Sequence, residues 1–416
     1  MPAVAGGRAA YQNRTQELGI VKYVIVLPDG AADEPLAQLD GRTPLEAARI
    51  PGMDWVAANG RLGRSVTVPA GFTAGTDVAT LSLFGYDPAR YYTGRAPLEA
   101  AARGLTVGPD GIIFRCNFVT VLDGRMADFT AGHIAQNEAE GLIADLDSLF
   151  AGEGLAFHAG VSYRNLMITE DAGGLDVRCA PPHDIPNQPV ADHRPQGPGA
   201  GRVKAIMTRA RELLRNHEVN RVRRGEGRDP VTDIWLWGQG GPTKLDAFQD
   251  RFGCLGAVIT GVDIIRGLAV CMGMKLIEVP GATGYIDTNY RGKGEAAVQA
   301  LADFDMVVVH VEAPDEAGHL GDAAEKVLAL ERVDELIVGP LLEEVRRHDR
   351  WRILVAPDHP TPCTTRAHDA TPPPFCYAGT GVEAVEAQPF CEQAASATGL
   401  FIDPGHRLIE QFMGRG

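Results

Sequence analysis

Met306-Val-Val-Val-His-Val311 followed closely by Asp315-Glu-Ala-Gly-His319 is the stretch that decides the fold. A short, β-branched apolar run of this kind reads as a buried strand, and the acid and imidazole just past its end read as metal ligands. The pattern recurs twice. Ile353-Leu-Val-Ala-Pro357 runs straight into Asp358-His359, with His368 shortly after, and Tyr23-Val-Ile-Val-Leu-Pro28 runs into Asp29-Gly30. Three strands that each deliver an acid or a histidine at their C-terminal ends are how an open α/β sheet builds a site. Mixed carboxylate and imidazole donors favour a borderline divalent ion such as manganese or zinc, and they outnumber what one ion needs. Two ions are therefore expected.

The rest of the composition narrows the class. The chain has 416 residues, 45% of them hydrophobic, which suits two or three soluble globular domains. A formal charge of -15 argues against nucleic acid or an anionic membrane as partner, since both are held by dense Lys and Arg. A small anionic substrate fits if cations are gathered locally. The 7 cysteines are scattered without the paired spacing of a zinc ribbon or disulfide framework, so reduced thiols and a cytoplasmic location are expected. Residues 1–21 read as a flexible tail without the apolar segment of a secretory signal, and no later run is long enough to span a bilayer. An oligomer is compatible with all of this.

Helical patterns alternate with short apolar strands in the first 90 or so residues and again from about 253 onward, the sign of a parallel sheet with crossover helices. The middle differs. Ile112–Val119 and Tyr163–Ile168 look like strands, Glu138–Leu149 like a helix, and 181–201 is rich in Pro and Gly. Because metal-ligand candidates lie on both sides, 93–239 reads as an inserted α+β domain within a core made of 22–92 and 240–416. Ile234-Trp-Leu-Trp-Gly-Gln-Gly240 reads as the hinge back to the core.

Pro69-Ala-Gly-Phe-Thr-Ala-Gly-Thr76-Asp77 opens a helical pattern with a hydroxyl residue preceded by glycine. Backbone N–H groups at a helix start favour anions, so a phosphate could be held there while Thr76 attacks it. A Thr hydroxyl is a poor nucleophile until it loses its proton. Coordination to a divalent ion removes that obstacle and links Thr76 to Asp29, Asp358 and His359. The plainer alternative is that Thr76 only caps its helix. His310, within its strand, reads as a packed neighbour of the site and not as a ligand.

The chain resembles the alkaline phosphatase superfamily and, within it, the cofactor-independent phosphoglycerate mutases of the archaeal type. The resemblance is carried by LPDGAADEP, AGTDVATLSLFGYDP, YYTGRAPLEAAARGL, FTAGHI, SYRNL, PPHDI, WLWGQG, VPGATGYIDTNY, VHVEAPDEAGHLGD and APDHPTP, spread over nearly the whole chain from about residue 22. It implies an α/β alkaline-phosphatase-like core, with a mostly parallel sheet flanked by helices, and an inserted α+β cap that binds substrate. It also implies one ion held by Asp29, Thr76, Asp358 and His359, a second held by Asp315, His319 and His368, and a phosphoenzyme on Thr76. The family usually has Ser at this place. Arg266 stands where the family commonly shows Lys, which keeps the charge that holds a phosphoryl group but changes its geometry.

The reaction so implied interconverts 3-phosphoglycerate and 2-phosphoglycerate without 2,3-bisphosphoglycerate, with manganese the first choice of ion and magnesium, zinc or cobalt as alternatives. Glycerate must stay in place and water must stay out, which gives the insert a purpose as a closing cap. Arg115, Asn117, Arg164 and His183 are its substrate-binding candidates, with Asp77 beside the nucleophile. Asp184 and His133 are the acid or base candidates, and the sequence does not choose between them. Two other activities share this machinery: a phosphotransferase of the kind proposed as homoserine kinase, and a phosphatase. A P-loop that would favour an ATP-dependent kinase is absent.

Overall fold

The computed structural model describes residues 21–171, 173, 175–385 and 388–415. The expected N-terminal tail lies, except for Val21, outside them. Contacts divide the chain into two compact units, one running to Tyr92 and resuming at Leu245, the other spanning Thr93–Lys244.

The first unit is built on an eight-stranded sheet. Numbered along the chain, its strands are β1 (Lys22–Pro28), β2 (Gly60–Ser65), β8 (Gly256–Ile259), β9 (Lys275–Leu276), β10 (Met306–Val311), β11 (Trp351–Val355), β12 (Pro374–Gly379) and β13 (Phe401–Ile402). Their spatial order is β13-β2-β12-β11-β1-β10-β8-β9, and only β12 runs against its neighbours. The expectation of a mostly parallel sheet flanked by helices is met. β1 is central, pairing in parallel with β10 from Tyr23 opposite Met306 to Pro28 opposite Val311, and with β11 from Lys22 opposite Trp351 to Val26 opposite Val355. Strands covered by helices on both faces need apolar residues throughout, and Val24, Val26, Val307, Val309, Ile353 and Val355 are all fully buried in one core. The consequence for function is positional. Three adjacent parallel strands end on the same edge, and the candidate ligands follow each end.

The second unit has its own five-stranded sheet, made of β3 (Ile112–Leu122), β4 (Arg125–Asp128), β5 (Ala156–Val161), β6 (Arg164–Thr169) and β7 (Asp233–Gly240). β3 lies at its centre and pairs antiparallel with β4, β6 and β7. The helices Gln136–Leu149 and Ala200–Arg215 cover the sheet, around a core that includes Phe114, Phe118, Leu146, Met207 and Trp235. The run expected as a hinge is thus the strand β7. Its Trp235 and Trp237 are buried, which ties it to this sheet. No helix among the described residues is long and apolar enough to cross a membrane.

Candidate metal centre and arginine cluster

Among the described residues, the first unit gathers three sets of possible metal donors, one of them Asp29, His310 and Glu312. Asp29 follows β1 directly, Asp358 and His359 follow β11, and a donor atom from each lies within 4.8 Å of the others. Asp315, His319 and His368 satisfy the same condition. Asp315 and His319 sit one turn apart on the helix Ala313–Leu320, so both face the same side, with His319 Nε2 3.1 Å from Asp315 Oδ2. The His359 and His368 rings, with centroids 4.3 Å apart, join their two sets. Thr76 is the first residue of the helix Thr76–Leu83, and its Oγ1 lies 3.4 Å from His359 Nε2.

Hydrogen bonds aim the imidazoles. His319 Nδ1 donates to the Arg366 carbonyl at 3.0 Å, which turns Nε2 toward Asp315 and places it 3.0 Å from His368 Nε2. His359 Nδ1 lies 3.3 Å from the Pro360 carbonyl, which assigns its lone pair to Nε2, 3.5 Å from both Asp29 Oδ1 and Asp358 Oδ2. Gly30, at φ +59°, donates its N–H to Asp358 Oδ1 at 3.2 Å. A Cβ at this position would come within 2.7 Å of the Asp315 side chain and backbone, so both the turn and the close approach require glycine.

His310 packs beside these donors as the sequence suggested, while Thr260, Thr361, Thr80 and Lys326 around them escaped the sequence reading. His310 Nδ1 lies 3.2 Å from Thr260 Oγ1 and its Nε2 lies 2.8 Å from Asp29 Oδ2. Both ring nitrogens of His310 are thus engaged, one by Thr260 and the other by Asp29. Thr361 Oγ1 donates to Asp315 and lies 3.3 Å from His359 Nδ1, while Thr80 Oγ1 is 3.5 Å from Asp358 Oδ2. Lys326 is fully buried, and its ammonium bonds the carbonyls of Ala32 and Thr361 and the Asp33 carboxylate. It thereby fastens the loop after β1 to the loop after β11.

The electrostatics suit cations. Burial, with Asp358, Glu312 and Asp315 close by, drives the Asp29 carboxyl well above the carboxylate range, and burial lifts Glu312 to about 8. Burial works against ionisation of Asp315 as well, but hydrogen bonds from His319 and His368 outweigh it and hold that carboxyl well below the ordinary value. Burial disfavours the charged form of His319, yet the Asp315 carboxylate raises it to about 9. Asp29 Oδ1 is buried with no hydrogen-bond partner. An orphaned carboxylate oxygen among converging lone pairs is what a divalent ion would satisfy, and the donor set fits one.

The second unit carries the other expected site residues. Arg115, on β3, is buried, with its Nε 3.0 Å from Glu99 Oε2 and its guanidinium 4.3 Å over the Trp237 ring. Asn117 Oδ1 accepts the Trp237 indole N–H at 3.1 Å. Arg164 stacks its guanidinium 5.5 Å from the Tyr163 ring. His183 packs edge-on against Trp237 at 5.0 Å, with the Asp184 carboxylate 3.6 Å from its Nε2. His133, at φ +48°, meets Tyr163 edge-on at 6.1 Å. In the first unit Asp77 accepts the Tyr92 hydroxyl, and Arg266 forks onto Glu278, with its two terminal nitrogens 2.9 and 2.5 Å from the carboxylate.

A family model described as 2,3-bisphosphoglycerate-independent phosphoglycerate mutase matches residues 57–220. A protein of that name from Methanothrix thermoacetophila is 49% identical over 94% of this chain and 98% of its own length. The chain belongs to this family of isomerases. A protein of Geobacter sulfurreducens named as a probable mutase of the same kind is 44% identical over 95% of this chain and all of its own. The solved cofactor-independent phosphoglycerate mutase of Thermoplasma acidophilum superposes with a TM-score of 0.63 at 27% identity, covering 95% of this mutase chain and 100% of its own.

Proposed function

We infer that this mutase interconverts 3-phosphoglycerate and 2-phosphoglycerate through a phosphorylated Thr76. The observation that carries the reading is the approach of Thr76 Oγ1 to His359 Nε2, the nitrogen that also meets Asp29 and Asp358. Asp29, Asp358 and His359 would hold one divalent ion with Thr76, and Asp315, His319 and His368 a second. Manganese is the expected ion and magnesium, zinc or cobalt the alternatives. Such ions supply charge that draws the proton from a hydroxyl and offsets charge developing on a transferring phosphoryl group.

The chain's own part is positional. Thr76 Oγ forms a bond to phosphorus as the bond to the C3 oxygen of the substrate breaks, and the Thr76 proton ends on that C3 oxygen. The C2 hydroxyl then attacks the phosphothreonine, Thr76 regains a proton, and the phosphate has moved by one carbon. Arg115, Asn117, Arg164 and His183 hold the anion, Arg266 supports the phosphoryl group with charge, Asp77 steadies the start of the Thr76 helix, and Asp184 or His133 carries the proton between the two oxygens.

The test is an enolase-coupled assay with 3-phosphoglycerate and manganese, without bisphosphoglycerate, on wild type, Thr76→Ala and Thr76→Ser, with release of free phosphate followed in parallel. Isomerisation lost in Thr76→Ala and retained in Thr76→Ser is the expected result. Isomerisation that survives Thr76→Ala would remove Thr76 from the chemistry, and phosphate release in its place would make the chain a phosphatase.

A further inference from the structure

Left-handed backbone gathers around one imidazole. Seven non-glycine residues among those described have positive φ, and three of them, Ala131 at +50°, His133 at +48° and Ser162 at +54°, belong to one corner of the second unit. Gly132, between the first two, stands at +65°, so three consecutive residues are left-handed. A residue with a Cβ is disfavoured in that region. Such conformations persist where the surroundings over-determine them, and they cluster where a side chain has to be aimed.

The surroundings hold this turn through specific bonds. Asp128 Oδ1 accepts both the N–H and the hydroxyl of Thr130, each at 2.7 Å, and its Oδ2 accepts the Gly132 N–H at 2.6 Å. Thr130 Oγ1 in turn accepts the His133 N–H at 3.2 Å. Burial disfavours the charge of Asp128, but the bonds from Thr130 and Gly132 keep its carboxyl below the ordinary value. Arg223, only 1% exposed, donates to the Ala131 carbonyl at 2.7 Å and pairs with Glu138 at 2.6 Å, and Ser162 Oγ donates to the Ile134 carbonyl at 2.7 Å. What the frame carries is the His133 ring, edge-on to Tyr163 at 6.1 Å, while the Arg164 guanidinium lies 5.5 Å over the same tyrosine. One ring thus joins two side chains that the proposed reaction places at the substrate.

We propose that Thr130 is a positioning residue that holds the left-handed turn 131–133 and so aims the His133 imidazole at the phosphoglycerate beside Arg164. The inference rests on the mutase reading for the substrate and for His133 as a group that meets it, but not on Thr76 as nucleophile. The Thr130 hydroxyl is the link because it donates to Asp128 and accepts from His133, so its removal unties the turn at the residue that bears the ring. Action through His133 differs from plain structural support in one respect. Once the imidazole is gone, the hydroxyl has nothing left to aim.

The test is a double-mutant cycle in the full-length protein, Thr130→Val, His133→Gln and the pair, with Thr130→Ser alongside. It is read as kcat/KM in the coupled assay and as 3-phosphoglycerate affinity by calorimetry. Thr130→Val is expected to lower kcat/KM roughly tenfold, the size of effect for misaligning one hydrogen bond, and Thr130→Ser to stay within about threefold of wild type. In the His133→Gln background the same Thr130→Val change is expected to cost less than about twofold. An equal cost in both backgrounds makes Thr130 a structural support and overturns the proposal, as does a neutral Thr130→Val or a neutral His133→Gln. If wild type binds 3-phosphoglycerate but does not isomerise it, the mutase reading fails and the same cycle in affinity decides Thr130; if it does neither, both fall. Should Thr130→Val fail to fold by circular dichroism, Asp128→Asn, which leaves one oxygen where the turn uses two, takes its place in the cycle with the same deciding outcomes.

Discussion

His310 touches no substrate in the proposed reaction and is placed here as an aiming device for Asp29. Its neutral form is enforced by burial, which lowers its imidazole to about 3, and its two ring nitrogens are committed to Thr260 and Asp29. Asp29 Oδ2 is thereby occupied, and Oδ1 is turned toward His359. His310→Gln is expected to weaken manganese binding by about 10- to 100-fold, as loss of such supporting hydrogen bonds does elsewhere, and equilibrium dialysis of the protein against manganese measures it. Wild-type affinity in that variant would reduce His310 to packing. At this scale the candidate donors Asp29, Asp315, His319, Asp358, His359 and His368 stand out in the sequence because an acid or histidine at the end of an apolar run has few structural uses. Thr80 and Thr361 do not, because a residue that only touches a candidate donor leaves no spacing or composition of its own in the chain.

Among elements, the helix Tyr290–Ala300 carries an unusual burden. Lys293 lies on it fully buried, donating to the His310 carbonyl on β10 at 3.1 Å. Burial lowers its ammonium to about 8 from an ordinary 10.5, with Glu312 opposing part of the shift. Between those values the unfolded chain keeps a proton that the folded chain has released, so stability rises with pH across that window, and what is gained there is lost as pH falls to about 8. The change amounts to ~3 kcal/mol at most. Urea unfolding at pH 8, 9 and 10 should show this rise in wild type and its absence in Lys293→Met; equal slopes would refute it. The strands were readable from the sequence, β10 over its full length and β1 and β11 to within two residues at either end, because β-branched runs buried on both faces admit little else. β7 was misread as a hinge because two tryptophans beside glycines carry no alternation, and only their burial against β3 shows the pairing.

Over the whole molecule, the second unit closes its sheet and core within 93–244. A fragment of those residues is expected to unfold in urea as one cooperative transition, followed by circular dichroism, since every strand partner and the residues of its main core are included. A broad, dye-binding, non-cooperative profile would show that the unit depends on the rest of the chain. The change from alternating helix and strand to a Pro- and Gly-rich middle is what suggests an insertion over 93–239. Contacts group Thr93–Lys244 as one unit, and the run past β7 carries no signal of that end, because a strand that leaves a unit resembles one that enters.

The candidate donors run from Asp29 to His368, so the proposed centre is assembled from residues far apart along the chain. A product of interrupted translation that stops short of His368 lacks at least one of them, and on the proposed reading such a product would be unable to complete the centre.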